Sequence, residues 1–448
     1  MHLSQLTEIA LIMVAALLGG ITLTRLKQPA VLGYLLAGFI LGPSCLGLFE
    51  NKEAIGVLAE LGVLMLLFLV GLELDLKTFQ EKWKVTMGSV ILQITLSVLV
   101  MLLLKFFFDW SFQKAVLLAF VISLSSTAVS IKMLEETGEL NTDTGRLALG
   151  VLISQDLAFV PMVLLLRSFA VVANENINTI FSGFTIVLSF IFLGALLWYL
   201  GGRKESLRIP FIKQLKRSGD LAPLSGMAFC FGLAALAGII GISAAYGAFV
   251  AGIILGNSNM KDKLIKTAHP IQSILVMIFF LSIGLLLDFS FIWDNIGKVV
   301  FLLLLMTVFK TFLNISIFHL FRISWHQAFL CGVMLAQIGE FSFLLTTIGM
   351  DINIIDIEGQ KLVITLTALS LAFSPIWMTT VRRLKEIPVA YRRRRLSLRE
   401  AMDHVYGPEM SRVRESYATM RDSFQSSAEK NDSSPSQKEE KKNDTSSS

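Results

Sequence analysis

Long apolar runs separated by short polar segments follow one another from the N-terminus to about residue 381. An α-helix needs about 20 mainly apolar residues to cross a bilayer, and within lipid every backbone polar group must be satisfied internally. The pattern therefore predicts an all-α polytopic membrane protein. Thirteen transmembrane spans are predicted, at 5–24, 29–47, 55–73, 85–107, 113–134, 146–169, 180–201, 220–239, 243–257, 270–287, 298–320, 326–348 and 361–381.

The basic residues are distributed unequally between the two ends of these spans. With a cytosolic C-terminus, the cytosolic loops and span edges hold seventeen Lys and Arg residues, and the outer ones hold five. Cytosolic loops of membrane proteins carry an excess of Lys and Arg. The bias alternates along the chain as thirteen spans require, so it predicts an outer N-terminus and a cytosolic C-terminus.

Three pairs of segments resemble each other at nearly the same separation along the chain. GYLLAGFILGPS at 33–44 and GAFVAGIILGNS at 247–258 agree at seven of twelve positions. GLxLD begins at Gly71 and again at Gly284, and Pro161 corresponds to Pro375. Each match alone could be chance, but three in chain order favour duplication. Seven spans separate the members of each pair, so the sequence predicts inverted repeats at about 5–169 and 220–381, which are typical of secondary transporters.

The composition narrows the possible functions. Hydrophobic residues make up 54% of the chain and charged residues 16%, which excludes a soluble globular protein. The three cysteines, Cys45, Cys230 and Cys331, have unrelated spacings and indicate neither a disulfide framework nor a metal site. Because the topology explains the net charge of +5, we expect no nucleic-acid partner. We also expect no cofactor and no enzymatic activity.

The composition changes after the last predicted span. We therefore divide the chain into a transmembrane domain at 1–381, a basic juxtamembrane cytosolic segment at 382–425 and a disordered tail at 426–448. The juxtamembrane segment contains the run Arg392–Arg395, which is suited to a surface of anionic lipid.

Two charged residues lie near the middle of predicted spans. Asp156 follows Gln155 in span 6, and Lys310 lies in span 11. A carboxylate at that depth costs about 2.5–3.5 kcal/mol on insertion scales, so it needs a partner or a function. We interpret Asp156 as a site for a proton or a monovalent cation; the alternative is a structural acid paired with Lys310. Lys310 could equally balance the C-terminal ends of broken helices.

Spans 5 and 12 are interrupted by polar or small residues. Span 5 contains Ser125, Ser126 and Thr127, whose hydroxyls could either join helices or coordinate an alkali cation in an unwound segment. Span 12 contains Gly339 and Glu340, and the separation between the repeats pairs Gly339 with Ser126. The two breaks are therefore equivalent, and their half-helix dipoles would face one another if the spans cross. Glu340 could neutralise the positive ends or bind the ion directly.

An ordered set of segments resembles the Kef-type branch of the monovalent cation:proton antiporter-2 family. The resemblance covers 5–381 and implies a sodium/proton antiporter-like fold, with a six-helix core, crossed discontinuous helices 5 and 12, and a dimerisation domain. The matching segments are Gly33–Pro43, Phe68–Asp75, Ser125–Val129, Gly138–Arg146, Gln155–Pro161, Phe279–Phe289 and Gln337–Phe343.

The resemblance also implies roles for individual residues. Gln155 and Asp156 match the family's Gln-Asp pair; both are predicted cation ligands, with Asp156 as the carrier of cation and proton. Ser126 and Thr127 fall in the crossover together with Glu340, and Lys310 matches the core lysine. Glutathione-gated members carry a cytosolic nucleotide-binding domain. They also carry an acidic loop after span 9, and at that position this chain has three lysines within 257–266. Gating by glutathione adducts is therefore not expected.

These observations predict a secondary transporter that exchanges K⁺ or Na⁺ for H⁺ by alternating access. Gln155 is neutral where other branches of the superfamily have a second Asp, so one titrating site implies one-for-one, electroneutral exchange. The alternatives are a K⁺ efflux pathway without proton coupling and a non-transporting membrane sensor or scaffold. We expect a homodimer in a bacterial inner membrane, with a separate regulatory subunit as a further possible partner.

Overall fold

The computed structural model describes residues 5–26, 28–47, 53–73, 76–173, 188–189, 191–196, 199, 221–240 and 243–394. Helices dominate this part of the chain. We number them α1 Gln5–Arg25, α2 Ala30–Leu41, α3 Glu53–Glu73, α4 Leu76–Phe108, α5 Phe112–Ser123, α6 Thr127–Glu136, α7 Asp143–Ala173, α8 Leu221–Ile239, α9 Ala244–Gly256, α10 Lys261–Leu285, α11 Phe289–Asp294, α12 Ile296–Leu320, α13 Trp325–Met334, α14 Phe341–Asp351 and α15 Ile357–Arg394.

Eight segments of the described chain are long and apolar enough to cross a membrane, and four shorter apolar helices accompany them. The predicted all-α membrane fold is confirmed. Predicted span 7, at 180–201, lies largely outside the described residues, as do the end of the juxtamembrane segment and the whole tail. The count of thirteen spans and the division at residue 381 therefore stay predictions.

Several helices extend beyond the apolar runs that predicted them. Helix α4 begins at Leu76 rather than at residue 85, and α10 begins at Lys261 rather than at residue 270. Helix α15 continues to Arg394, past the predicted end at residue 381. Hydropathy marks only the part of a helix that lies in lipid, whereas Lys, Glu, Gln and Arg are good helix formers that prolong it into the polar region.

The helices form two sets. In the first, α1–α3 pack with α8–α10, around buried residues that include Met65, Phe68 and Leu72 of α3. In the second, α4–α7 pack with α12–α14. The second set contains both interrupted spans and every candidate site residue. The chain divides into two units, 1–375 and 376–448, and all contacts described below lie within the first.

Close glycine contacts correspond between the two predicted repeats. A Cβ atom at Gly38 of α2 would clash with the Leu281 carbonyl oxygen of α10 and lie 3.0 Å from the Cα of Gly284. A Cβ atom at Gly71 of α3 would lie 3.1 Å from the Cα of Gly252 of α9. Gly252 and Gly284 are the residues that the repeat pairs with Gly38 and Gly71. The second helix of each copy, α2 or α9, therefore packs against the third helix of the other copy, α10 or α3.

The first two elements of each copy also pack alike. A Cβ atom at Gly33 of α2 would clash with the backbone of Gly19 in α1, and one at Gly247 of α9 would clash with the Leu233 carbonyl oxygen in α8. Gly247 and Leu233 are the residues that the repeat pairs with Gly33 and Gly19. A duplicated unit predicts this correspondence.

Candidate functional site

The two interrupted spans cross at their breaks, as the sequence predicted. Helix α5 ends at Ser123 and α6 begins at Thr127, and the backbone at Leu124 between them is extended. The Gly339 N–H donates a hydrogen bond of 3.1 Å to the Leu124 carbonyl oxygen. A Cβ atom at Gly339 would lie 2.7 Å from the Ser125 carbonyl oxygen, so only glycine allows the backbones to approach this closely.

Hydroxyl groups of the first interrupted span donate hydrogen bonds to carbonyl groups at the C-terminal end of α13. Ser125 Oγ donates to the Leu335 carbonyl oxygen at 2.8 Å, and Ser130 Oγ donates to that of Met334 at 3.1 Å. The last carbonyl groups of a helix have no partner within the helix, so they accept these bonds readily. Ser125 and Ser130 thus join the two interrupted spans.

Lys310 lies beside the C-terminal ends of the half-helices. The side chain is 2% exposed, and Nζ donates to the carbonyl oxygens of Leu124 at 2.7 Å and Gln337 at 2.8 Å, and to Ser125 Oγ at 3.2 Å. Helix C-termini carry partial negative charge, which an ammonium group offsets. Among the described residues Lys310 forms no ion pair with a carboxylate. Of the two alternatives left open by the sequence, its contacts are those of a helix-end partner.

Glu340 lies beside the N-terminal ends. It directly precedes α14, and its carboxyl group lies close to the side chain of Ser126, the N-cap residue of α6. A negative charge is stabilised at helix N-termini, so Glu340 is placed to offset two positive ends. Its Oε2 atom is buried and has no hydrogen-bond partner within the described part of the chain.

Asp156 lies near the middle of α7 and is 7% exposed. Its Oδ2 atom accepts a hydrogen bond of 3.3 Å from Thr127 Oγ1, at the first residue of α6. Across the described ranges this is its one side-chain hydrogen bond, and no basic residue pairs with it. The predicted alternative of an Asp156–Lys310 pair is therefore absent from this conformation. A buried carboxylate with free lone pairs is suited to a proton or a cation.

Gln155 points to the break rather than to Asp156. Its Oε1 atom accepts from the Ser125 N–H at 2.9 Å, and its Nε2 atom donates to the Ser123 carbonyl oxygen at 3.1 Å and to Gln93 Oε1 at 2.9 Å. Both donor hydrogens are thus engaged. These bonds join α7 to the unwound segment of span 5. The role of Gln155 as a cation ligand stays a prediction.

Two residues of this network escaped the sequence reasoning. Gln93 of α4 donates from Nε2 to Asn314 Oδ1 at 3.0 Å, and Asn314 of α12 donates from Nδ2 to the Leu335 carbonyl oxygen at 3.2 Å. Both are buried. The signal that could have found them is an amide side chain in the apolar middle of a span; Asn314 also lies one helical turn after Lys310, on the same helix face.

All seven predicted site residues surround one crossover. They are Ser125, Ser126, Thr127, Gln155, Asp156, Lys310 and Glu340. Lys310 and Glu340 lie at helix ends of opposite sign, and Gln155 is committed to hydrogen bonds. The charge of Asp156 is the one that the surrounding residues leave uncompensated.

Comparisons with known proteins agree with this architecture. The family model described as "Sodium/hydrogen exchanger, transmembrane" matches residues 12–382. The iron transporter MagA of Paramagnetospirillum magneticum is 48% identical over 409 residues, which cover 91% of this chain and 92% of that protein. KefC, the glutathione-regulated potassium-efflux system protein of Escherichia fergusonii, is 30% identical, with 81% of this chain and 58% of KefC covered.

K(+) efflux antiporter 5 of Arabidopsis thaliana is 29% identical, with 84% of this chain and 66% of that protein covered. Among solved structures, the sodium proton antiporter MjNhaP1 from Methanocaldococcus jannaschii at pH 8 superposes with a TM-score of 0.60. It is 16% identical, and the match covers 84% of this chain and 99% of that one. This likeness supports the fold.

Proposed function

The chain belongs to the transmembrane sodium/hydrogen exchanger family, and from this premise we propose that it exchanges K⁺ or Na⁺ for H⁺ at Asp156. The observation that carries the proposal is the state of this carboxylate. It is buried in a membrane-spanning helix, accepts one 3.3 Å hydrogen bond from Thr127, and has no basic partner among the described residues. A positive ligand is what such a group requires.

One carboxylate cannot favourably hold a proton and a cation together, so the two compete for Asp156. Lys310 and Glu340 are placed at helix ends, where their charges are offset locally. Only the charge of Asp156 then changes during the cycle, and one H⁺ exchanges for one monovalent cation without net charge movement. Alternating access would expose the crossover first to one side of the membrane and then to the other.

The name of the MagA relative makes iron a second candidate substrate. Divalent transition metals are usually held by several imidazole, thiolate or carboxylate ligands. No group of three or more His, Cys, Asp or Glu side chains placed to hold a metal ion occurs in the ranges that the structure describes. Oxygen ligands around a single carboxylate favour an alkali cation, but Fe²⁺ belongs in the assay as a competitor.

The test is exchange in proteoliposomes that contain a pH-sensitive dye. We expect K⁺ or Na⁺ gradients to drive proton movement at a rate independent of membrane potential. Asp156→Asn removes the titrating group and keeps the side-chain shape, so exchange should be abolished. Asp143→Asn, at the exposed start of the same helix, is the control and should exchange normally.

Each alternative has its own outcome in this assay. Exchange that persists in Asp156→Asn would refute the site. Cation flux without proton movement would indicate an uncoupled efflux pathway, and absence of any flux would favour a sensor or scaffold. A rate that follows membrane potential would refute electroneutrality.

The cellular setting is also part of the proposal. We place the N-terminus outside and the C-terminus in the cytosol of a bacterial inner membrane, as the seventeen-to-five bias of basic residues supports. A homodimer and a separate regulatory subunit remain expectations from the family resemblance. Crosslinking in native membranes would test both.

A further inference from the structure

Three buried amide side chains connect the break of span 5 to the break of span 12. Gln155 donates to Gln93 Oε1 at 2.9 Å, and Gln93 donates to Asn314 Oδ1 at 3.0 Å. Asn314 donates to the Leu335 carbonyl oxygen at 3.2 Å, and the same oxygen accepts from Ser125 Oγ. The Ser125 N–H donates to Gln155 Oε1, which closes the series of bonds. We call these five residues the amide ring.

The backbone groups of the amide ring fix the direction of its hydrogen bonds. The Leu335 carbonyl oxygen can only accept, and the Ser125 N–H can only donate. Turning any one amide around would place two donors or two acceptors against each other. The amide side chains are 1–2% exposed, so a lost bond leaves a buried polar group unpaired. The amide ring therefore has one favoured arrangement, in which it holds α4, α7 and α12 against the two breaks.

The amide ring adjoins both elements that form the proposed exchange site. Gln155 directly precedes Asp156 on α7, and Ser125 lies two residues before Thr127, the first residue of α6. Thr127 Oγ1 and Asp156 Oδ2 lie 3.3 Å apart. Because these two oxygen atoms belong to different helices, the space they offer a cation depends on how α6 and α7 are held together. The side chains of the amide ring are neutral, so they fix this spacing without adding a charge.

We propose that Gln93 and Asn314 are positioning residues, which set the preference of the Asp156 site between Na⁺ and K⁺. Na⁺ is the smaller ion, so oxygen atoms held in fixed positions suit one of the two ions better, whereas a looser site adapts to both. Gln93 and Asn314 act through Gln155 and Ser125 and do not bind the cation. This inference rests on the proposed exchange function and adds the determinant of its selectivity.

The test replaces the amide ring's outer members and measures selectivity in proteoliposomes. The readout is the kcat/KM for the preferred ion divided by that for the other ion. The contribution of one hydrogen bond corresponds to roughly a fivefold change in this ratio. We therefore expect the ratio to fall about fivefold in Gln93→Leu and in Asn314→Leu. Gln93→Asn, which keeps the amide but shortens its reach, should also lower the ratio and is the milder variant if Leu prevents folding.

Met101→Ala is the matched control for loss of stability. Met101 is buried on α4, about two turns after Gln93, in a hydrophobic cluster with Ala115 and Ala119 of α5. Its truncation leaves a cavity and destabilises the protein without touching the amide ring. Destabilisation lowers the amount of active protein for both ions alike, so it cancels in the ratio. Met101→Ala should therefore retain the selectivity of the wild type.

A ratio that fails to fall in Gln93→Leu or in Asn314→Leu would overturn the inference, and so would an equal fall in Met101→Ala. A wild-type protein that transports Na⁺ and K⁺ equally well would also overturn it, because there would be no preference to set. Each of these results is compatible with loss of exchange in Asp156→Asn, which would leave the proposed exchange function standing. Persistent exchange in Asp156→Asn would instead refute that function.

Discussion

Replacing Lys310 by Met should destabilise the crossover while preserving the length of the side chain. The ammonium group donates to the carbonyl oxygens of Leu124 at 2.7 Å and Gln337 at 2.8 Å. The Leu124 oxygen retains the hydrogen bond from the Gly339 N–H, whereas the Gln337 oxygen has no other hydrogen-bond partner in the described structure.

The magnitude follows from these contacts. A hydrogen bond from a charged donor contributes about 1.5–3 kcal/mol, and a buried carbonyl left unpaired costs about 1–3 kcal/mol. The variant no longer buries a charge, which offsets part of the loss. We expect Lys310→Met to lower the free energy of unfolding by about 2–4 kcal/mol.

Thermal unfolding of the purified protein in detergent measures this change. Lys105→Met is the control, because Lys105 lies in the last turn of α4 and takes no part in the crossover. The control should change the free energy of unfolding by no more than an ordinary surface substitution does, about 0.5 kcal/mol. If Lys310→Met melted like the wild type, the inference that Lys310 stabilises the half-helix ends would be wrong.

Three further substitutions test other contacts. Gln93→Leu removes two buried amide hydrogen bonds of 2.9 and 3.0 Å and should lower thermal stability by about 2 kcal/mol. Gly38→Val should impair folding by forcing α2 from α10, whereas Gly56→Val, which has open space, should express normally. The Asp288 carboxylate accepts hydrogen bonds from Lys361 and from a backbone N–H, and these bonds hold the pKa of that carboxyl below its usual value. Lys361→Met should therefore cost up to about 1 kcal/mol at pH 7; the difference from wild type should shrink as the pH falls below the ordinary aspartate pKa of about 3.9 and vanish only once the pH has passed below the lowered pKa of Asp288.

The breaks of spans 5 and 12 could be placed from sequence because their cause is local. Ser125, Ser126 and Gly339 interrupt apolar runs, and a helix in lipid unwinds only where other polar groups can satisfy its backbone. The position of Asp156 in the bilayer followed from the same apolar pattern. The offset between repeats then placed Ser126 opposite Gly339 before any contact was known.

Hydrogen-bond partners depended on tertiary structure. Lys310 meets the Leu124 carbonyl oxygen 186 residues away, and Gln155 meets Gln93 across 62 residues. No local pattern states which of several buried polar groups will face one another, so the sequence left Lys310 with two possible partners and gave no hydrogen-bond partner for the Gln155 amide. Hydropathy determined which segments enter the membrane, whereas packing of helices distant in the chain decided which polar groups are satisfied and left the Asp156 carboxylate without a basic partner among the described residues.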